Sequence, residues 1–132
     1  MSSEITAGLD LARNEQGEPA LCLVTGATGY IGGRLVRELL IAGYKVKVLA
    51  RFPDRLRDMA WIDQVEVISG DALNISDVNR AMQNVDVAYY LLHALNQGPE
   101  FVDIETRMAQ LFAESAKNNN VQKIIYLGGL IP

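Results

Sequence analysis

Val24-Thr25-Gly26-Ala27-Thr28-Gly29-Tyr30-Ile31-Gly32-Gly33 is the stretch on which the reading of this chain turns. It follows a short apolar run at residues 20–24 and opens an amphipathic segment, the strand–turn–helix setting that a phosphate-cradling loop requires. Each glycine has its own task. Gly26 lets the chain leave the strand in a tight turn, Gly29 lets backbone approach a diphosphate with no Cβ in the way, and Gly32 lets the helix pack close to the strand. The unpaired N–H groups of the first helical turn and the positive end of the helix dipole then attract the anion. Thr25 and Thr28 add hydroxyls beside it. Eleven glycines in 132 residues produce some triplets by chance, so the setting carries the inference more than the triplet does. The alternative is a plain structural turn.

The length fits one domain with a real hydrophobic core. At 49% apolar and 21% charged residues, the composition is that of an ordinary globular protein. No apolar run approaches the roughly 20 residues that span a bilayer. The amino end lacks the basic-then-apolar layout of a secretory signal. With one cysteine, Cys22, no internal disulfide forms, and a buried inert thiol in a cytoplasmic protein is the reading. A net charge of −4 argues against nucleic acid as a partner. Seven of the twelve basic residues (Arg34, Arg37, Lys45, Lys47, Arg51, Arg55 and Arg57) nevertheless fall within residues 34–57, beside only Glu38 and Asp54. Such a local positive patch suits a small anion better than a long polyanion.

In chain order, residues 1–19 are a polar, flexible lead-in, with a short helix possible at residues 5–12. Residues 20–24 form the first strand. Ile31, Leu35, Val36, Leu39 and Leu40 mark one helical face, and Gly43 stops that helix. Residues 45–50 read as the second strand, ended by Phe52-Pro53. A short helix at residues 56–62 carries Trp61 as a core or covering residue. The third strand spans residues 65–68, closed by Ser69-Gly70-Asp71. Ser76 caps a helix to about Gln83, with Val78, Ala81 and Met82 inward. Residues 85–92, nearly all apolar, read as a central parallel strand buried on both faces. A long helix runs over residues 99–117, with Phe101, Ile104, Met108, Leu111, Phe112 and Ser115 at spacings of three and four. Residues 121–127 make the fifth strand.

Alternating strands and helices joined by short loops mean an α/β, doubly wound parallel sheet with helices on both faces. A glycine loop after the first strand points to the strand order 3-2-1-4-5, the Rossmann arrangement. Ligands in such sheets bind beyond the carboxyl ends of the strands where the order reverses. Residues 26–32, Arg51, Asp71, His93 and Gly128 are thereby expected around one cleft.

Thr25-Gly26-x-x-Gly29-x-x-Gly32 resembles the fingerprint of the extended and atypical short-chain dehydrogenase/reductases. The run Gly29-Tyr30-Ile31-Gly32-Gly33-Arg34-Leu35, with Gly70-Asp71 and Tyr89-Tyr90-Leu91-Leu92-His93, is similar to NmrA-like and epimerase-like NAD(P)-binding proteins. The resemblance covers roughly residues 20–130. It implies that Gly26, Thr28, Gly29, Tyr30, Ile31 and Gly32 hold a dinucleotide's diphosphate. It also implies that Asp71 accepts a hydrogen bond from the adenine amino group, with Ala72 and Leu73 beside the ring. Leu92 and His93 then line the ribose or nicotinamide end. An ordinary turn aspartate and a structural histidine are the alternatives for Asp71 and His93.

The two nicotinamide cofactors are told apart at the end of the second strand, where NAD binders carry an acid for the ribose 2′-hydroxyl. Here the strand ends Val48-Leu49-Ala50-Arg51, with no acid before Asp54. Arg51, with Arg55 and Arg34 near, suits a 2′-phosphate, so NADP(H) is favoured over NAD(H). The alternative is a solvated loop arginine.

Active reductases of this superfamily use a tyrosine and a lysine four residues apart on the helix after the fifth strand. No Tyr-x-x-x-Lys occurs in these 132 residues, and Leu127-Gly128-Gly129-Leu130 stands where a helping serine is expected. One histidine, one cysteine and scattered carboxylates show neither a triad nor metal-ligand spacing. No catalytic acid, base or nucleophile is assignable. The expectation is therefore a cofactor-binding domain over residues 20–132, the first part of a longer oxidoreductase, broken off after its fifth strand. An open sheet edge there makes a homodimer plausible. A non-catalytic, NADP(H)-responsive regulator of NmrA-like type and a nucleotide-sugar epimerase or dehydratase are the competing functions.

Overall fold

The structure, a computed structural model, describes residues 13–26, 30–91 and 99–127. Alternation of aliphatic side chains on a strand buried from both sides sets the centre of the fold. In β1 (Leu21–Thr25), Cys22 and Val24 point to one layer and Leu23 to the other, each 1% exposed or less. Around β1 lie β2 (Lys45–Ala50), β3 (Glu66–Ser69), β4 (Val87–Leu91) and β5 (Lys123–Leu127), all parallel, in the order β3-β2-β1-β4-β5. The predicted sheet and its order are the observed ones. In register, Thr25 of β1 faces Leu49 of β2 and Tyr90 of β4, and Ala50 faces Ser69 of β3. The carboxyl ends of β1, β2 and β3 thus finish together.

On one face, α1 (Tyr30–Ala42) lays Val36 and Leu39 against Cys22, Val24, Val46 and Val48. Gly43 takes a φ of +102° and donates to Leu40 O, while Tyr44 N donates to Leu39 O, which ends the helix as its position predicted. Leu56 and Trp61 close the same cluster. The short helix expected at residues 56–62 is absent: two 3-10 turns, Pro53–Leu56 and Ile62–Gln64, stand on either side of a turn. Proline favours such a start, and burial of Leu56 and Trp61 needs only one turn at each point. Ile31, counted with the apolar stripe of α1, is 53% exposed, unlike Val36 and Leu39 of the same stripe.

On the other face, α2 (Ile75–Met82) and α3 (Pro99–Asn118) pack on Leu23, Leu49, Ala88 and Tyr90. Val78, Ala81 and Met82 are fully buried, as the sequence predicts. The cap of α2 is Asn74 rather than Ser76: the Asn74 side chain accepts from Asp77 N, two residues earlier than the expected start. Phe112 stacks on Tyr90 at a centroid distance of 4.7 Å. Ile104, placed by spacing on the inner stripe of α3, stays exposed. Cys22 is buried, and burial together with the Asp86 carboxylate pushes its thiol up to about 12, so it is an inert core residue.

Residues 13–19 form a turn. Asn14 Oδ1 accepts from Gln16 N and Glu18 N, and Arg13 Nη1 donates to Gly17 O. The helix expected at residues 5–12 lies outside the described residues.

Candidate functional site

A cleft of about 410 Å³ opens at the carboxyl ends of β1, β2 and β3, within the range of small-ligand sites. Gly26 stands where β1 enters it. Its φ is +103°, and a Cβ there would sit 2.9 Å from Leu91 Cβ on the neighbouring strand, so both backbone and space demand glycine. Before it, Thr25 is 8% exposed and its Oγ1 has no hydrogen-bond partner among the described residues. An orphaned hydroxyl on the wall of a cleft is a group that a ligand or a water satisfies.

Arg51 follows the last residue of β2, and Arg55 lies in the 3-10 turn after it. Their guanidinium carbons stand 5.2 and 4.6 Å from the centre of the Phe52 ring. Two guanidinium groups converging on one exposed ring hold a high local positive charge. The acid nearest to them across the cleft is Asp71, whose Oδ2 lies 4.0 Å from Arg51 Nε. That pair is exposed and at the limit of contact, so it neutralises little.

Asp71 arrives from β3 through Gly70. Its Oδ1 accepts from Leu73 N at 2.9 Å, folding residues 71–73 into a turn that brings Ala72 and Leu73 to the cleft wall. Ile104 and Met108 of α3 supply the apolar wall. The arrangement can hold a flat apolar ring with a donor toward Asp71 and a doubly charged anion toward Arg51 and Arg55.

The structure therefore brings Gly26, Arg51, Asp71 and Ala72 to one cleft. Thr28, Gly29, Leu92, His93 and Gly128 lie outside the described residues. Tyr30, Ile31 and Gly32 begin α1. The basic patch disperses: Lys45 reaches Glu18 at 3.7 Å, Arg37 borders a separate groove beside Trp61, and Lys47 is buried under α2. Its charge was legible in sequence, but its sorting into cleft and non-cleft members was not. Phe52 was read as a strand breaker, and Ile104 and Met108 as plain helix positions. An aromatic residue flanked by arginines at a strand exit was the available signal for Phe52.

Among the described residues no group of histidine, cysteine or acid side chains could hold a metal ion, and no helix is long and apolar enough to cross a membrane.

The model of the family described as NAD(P)H-binding matches residues 26–130. The chain belongs to that NAD(P)H-binding family. Cinnamoyl-CoA reductase 1 of Oryza sativa subsp. japonica is 24% identical over 128 residues, which are 92% of this chain and 38% of that protein. Sterol demethylase protein B of Methylococcus capsulatus is 30% identical over 110 residues, 79% of this chain and 33% of its own. The chain thus spans about a third of the length of these curated relatives. Among solved structures, the triphenylmethane reductase of Citrobacter sp. complexed with NADP(H) superposes with a TM-score of 0.65 at 24% identity, over 80% of this chain and 36% of that one. That likeness is one of fold. The resemblance to extended, NmrA-like short-chain dehydrogenase/reductases stated from the motifs is the relationship that the family match and the relatives show.

Proposed function

We propose that this NAD(P)H-binding chain takes NADP(H) in preference to NAD(H), and serves as the cofactor-binding part of a short-chain dehydrogenase/reductase-like oxidoreductase. The observation that carries the preference is the pair Arg51 and Arg55 stacked about Phe52 at the exit of β2, where an NAD binder carries an acid. A 2′-phosphate presents two charges and three acceptor oxygens to two guanidinium forks, which match phosphate geometry. Across the cleft Asp71 Oδ2 accepts from the adenine amino group, with Ala72 and Leu73 along the ring. The loop of residues 26–32, with Thr28, Gly29, Tyr30 and Ile31, holds the diphosphate, and Leu92 and His93 border the far end of the cofactor. Thr25 Oγ1, buried and without a hydrogen-bond partner among the described residues, supports the same placement. When bound, the dinucleotide supplies a hydride. This chain's residues supply its orientation and charge neutralisation.

Calorimetric titration of NADPH and NADH into the wild type and Arg51→Ala tests the reading. The expected result is a wild-type preference for NADPH that shrinks by about tenfold or more in the variant, the range of a charge-assisted hydrogen bond, with NADH unchanged. Equal losses for both cofactors, or no loss, would remove Arg51 from the 2′-phosphate site.

A further inference from the structure

Asp71 stands two residues past the end of β3, one beyond Gly70, whose N–H donates to Ala50 O of β2 at 3.1 Å and is the last bond the loop makes to a neighbouring strand. A carboxylate that reads a ligand must be kept within a fraction of an ångström of its productive position. The bonds that hold this one come from α2. Asp77 Oδ2 accepts from Asp71 N at 2.9 Å, and Asp77 Oδ1 accepts from Arg80 Nη1 at 3.1 Å. Arg80 Nη2 reaches back to Ser69 O at 2.6 Å. The loop backbone is therefore gripped on both sides of Gly70, by a carboxylate and by a guanidinium that also grip each other. Asn74 Oδ1 accepts from Asp77 N at 3.1 Å and sets the first turn of α2, from which the carboxylate projects. The packing is close enough that a Cβ on Gly70 would meet Asp77 Cβ at 2.8 Å.

Both Asp77 oxygens accept hydrogen bonds from within the chain. Asp71 differs. Its Oδ1 is held by Leu73 N, and its Oδ2 is left facing Arg51 across the cleft. Asp77 and Arg80 are partly exposed, with 25% and 47% of their side chains accessible, and a helix-surface pair of that kind adds little to stability. Its value lies in what it aims.

We infer that Asp77 and Arg80 are positioning residues that fix the Asp71 carboxylate in the cleft, and so set how strongly the site prefers a purine with a 6-amino group over one with a 6-oxo group. The inference rests on the reading of Asp71 as the acceptor for adenine, and its test separates the two.

Titrate NADPH and its hypoxanthine counterpart, reduced nicotinamide hypoxanthine dinucleotide phosphate, into the wild type, Asp71→Asn, Asp77→Asn, Arg80→Ala and Arg80→Lys, with thermal midpoints measured alongside. The wild type favours the amino form by about tenfold, the scale of one charge-assisted hydrogen bond, and Asp71→Asn abolishes the preference. Asp77→Asn and Arg80→Ala bring it to within about threefold of parity, with midpoints shifted by only a few degrees, and Arg80→Lys, which keeps one donor, regains part of it. If Asp71→Asn abolishes the preference but Asp77→Asn and Arg80→Ala keep it, or weaken both ligands alike, the brace is merely structural and the inference falls while the adenine reading stands. If the wild type shows no preference, or Asp71→Asn retains it, the adenine reading falls and takes the inference with it. Should Asp77→Asn fail to fold, the two Arg80 variants decide alone.

Discussion

Lys47 and Arg51 lie four residues apart, one inside β2 and one just past its end, and the structure treats the two cations in opposite ways. Lys47 is 4% exposed, with its ammonium donating to Ala81 O at 3.0 Å and Gln83 O at 2.9 Å. These are carbonyls at the carboxyl end of α2, where the helix leaves acceptors unpaired and its dipole favours a cation. Burial lowers the lysine's pKa, opposed by the nearby Glu66 carboxylate. Arg51 has 67% of its side chain exposed, rests near an aromatic ring and meets an acid at 4.0 Å. One cation is spent on holding helix to sheet. The other keeps nearly all of its hydrogen-bonding capacity open at the cleft. Polar groups already satisfied stabilise a fold, and those left undersatisfied at a concave edge make a binding site.

The sharpest way to break this contrast is to remove each cation in turn. Lys47→Ala leaves the buried bond to Ala81 O and the part-buried bond to Gln83 O unmade and a space beneath α2, and should cost about 3 kcal/mol in urea unfolding. Lys47→Met, which keeps the stem, should recover the packing part alone. A loss below about 1 kcal/mol for Lys47→Ala would show that the buried ammonium contributes nothing net.

Arg51→Ala should leave urea stability within about 0.5 kcal/mol of wild type, as a surface substitution does. Were it to destabilise the fold as Lys47→Ala does, the division between structural and ligand-directed cations would collapse. Arg55→Ala should act in the same sense on NADPH by a smaller factor, about fivefold or 1 kcal/mol, since Arg55 is the second of two forks. Competition titration checks it.

A weaker effect separates core from cleft by pH. Cys22, ordinarily near 9.0, is pushed up to about 12 first by burial and then by Asp86. Tyr89, ordinarily near 10.0, is pushed up to about 12 by burial, Cys22 and Tyr44. Both stay protonated in the folded chain at pH values where the unfolded chain has released the proton. Their contribution is therefore whole below about pH 9 and is lost as pH climbs toward 12. Lys47 pulls the other way below 10.5, because its folded form holds its proton less tightly than the unfolded one. The urea midpoint should fall between pH 8.5 and about 10.5, and fall less steeply in Cys22→Ala. An identical slope in the two proteins would show that the thiol does not carry this linkage.

Much of the fold was legible because its signals are local. The continuous apolar run of β4, the three-and-four spacing along α3 and Gly43 at the end of α1 each report on neighbours a few residues away. Where the reading slipped, the deciding contact was distant or geometric. Asn74 rather than Ser76 caps α2, and Asp77, whose N–H the cap holds, accepts from Asp71 N across the loop. Ile31 and Ile104 satisfy a helical stripe but are exposed, Ile104 on the wall of the cleft, so spacing alone placed them wrongly. Among site residues, Gly26, Arg51 and Asp71 were recognisable from motif and strand position. Phe52 had a signal in the arginines around it that went unread, and Met108 and the Asp77–Arg80 brace were not recognisable as cleft residues because the elements they face are remote in sequence.

By itself the sequence determined the alternation of strands and helices, the glycine turn at the exit of β1 and the absence of an acid at the exit of β2. Those follow from hydrophobic period, backbone freedom and residue identity, all of which act over short distances. Only the tertiary structure decided which of seven clustered cations face the cleft, which one is caged beneath a helix, and which acid holds another in place. Such choices depend on side chains remote in sequence being packed to within hydrogen-bond reach, and no local pattern encodes that distance.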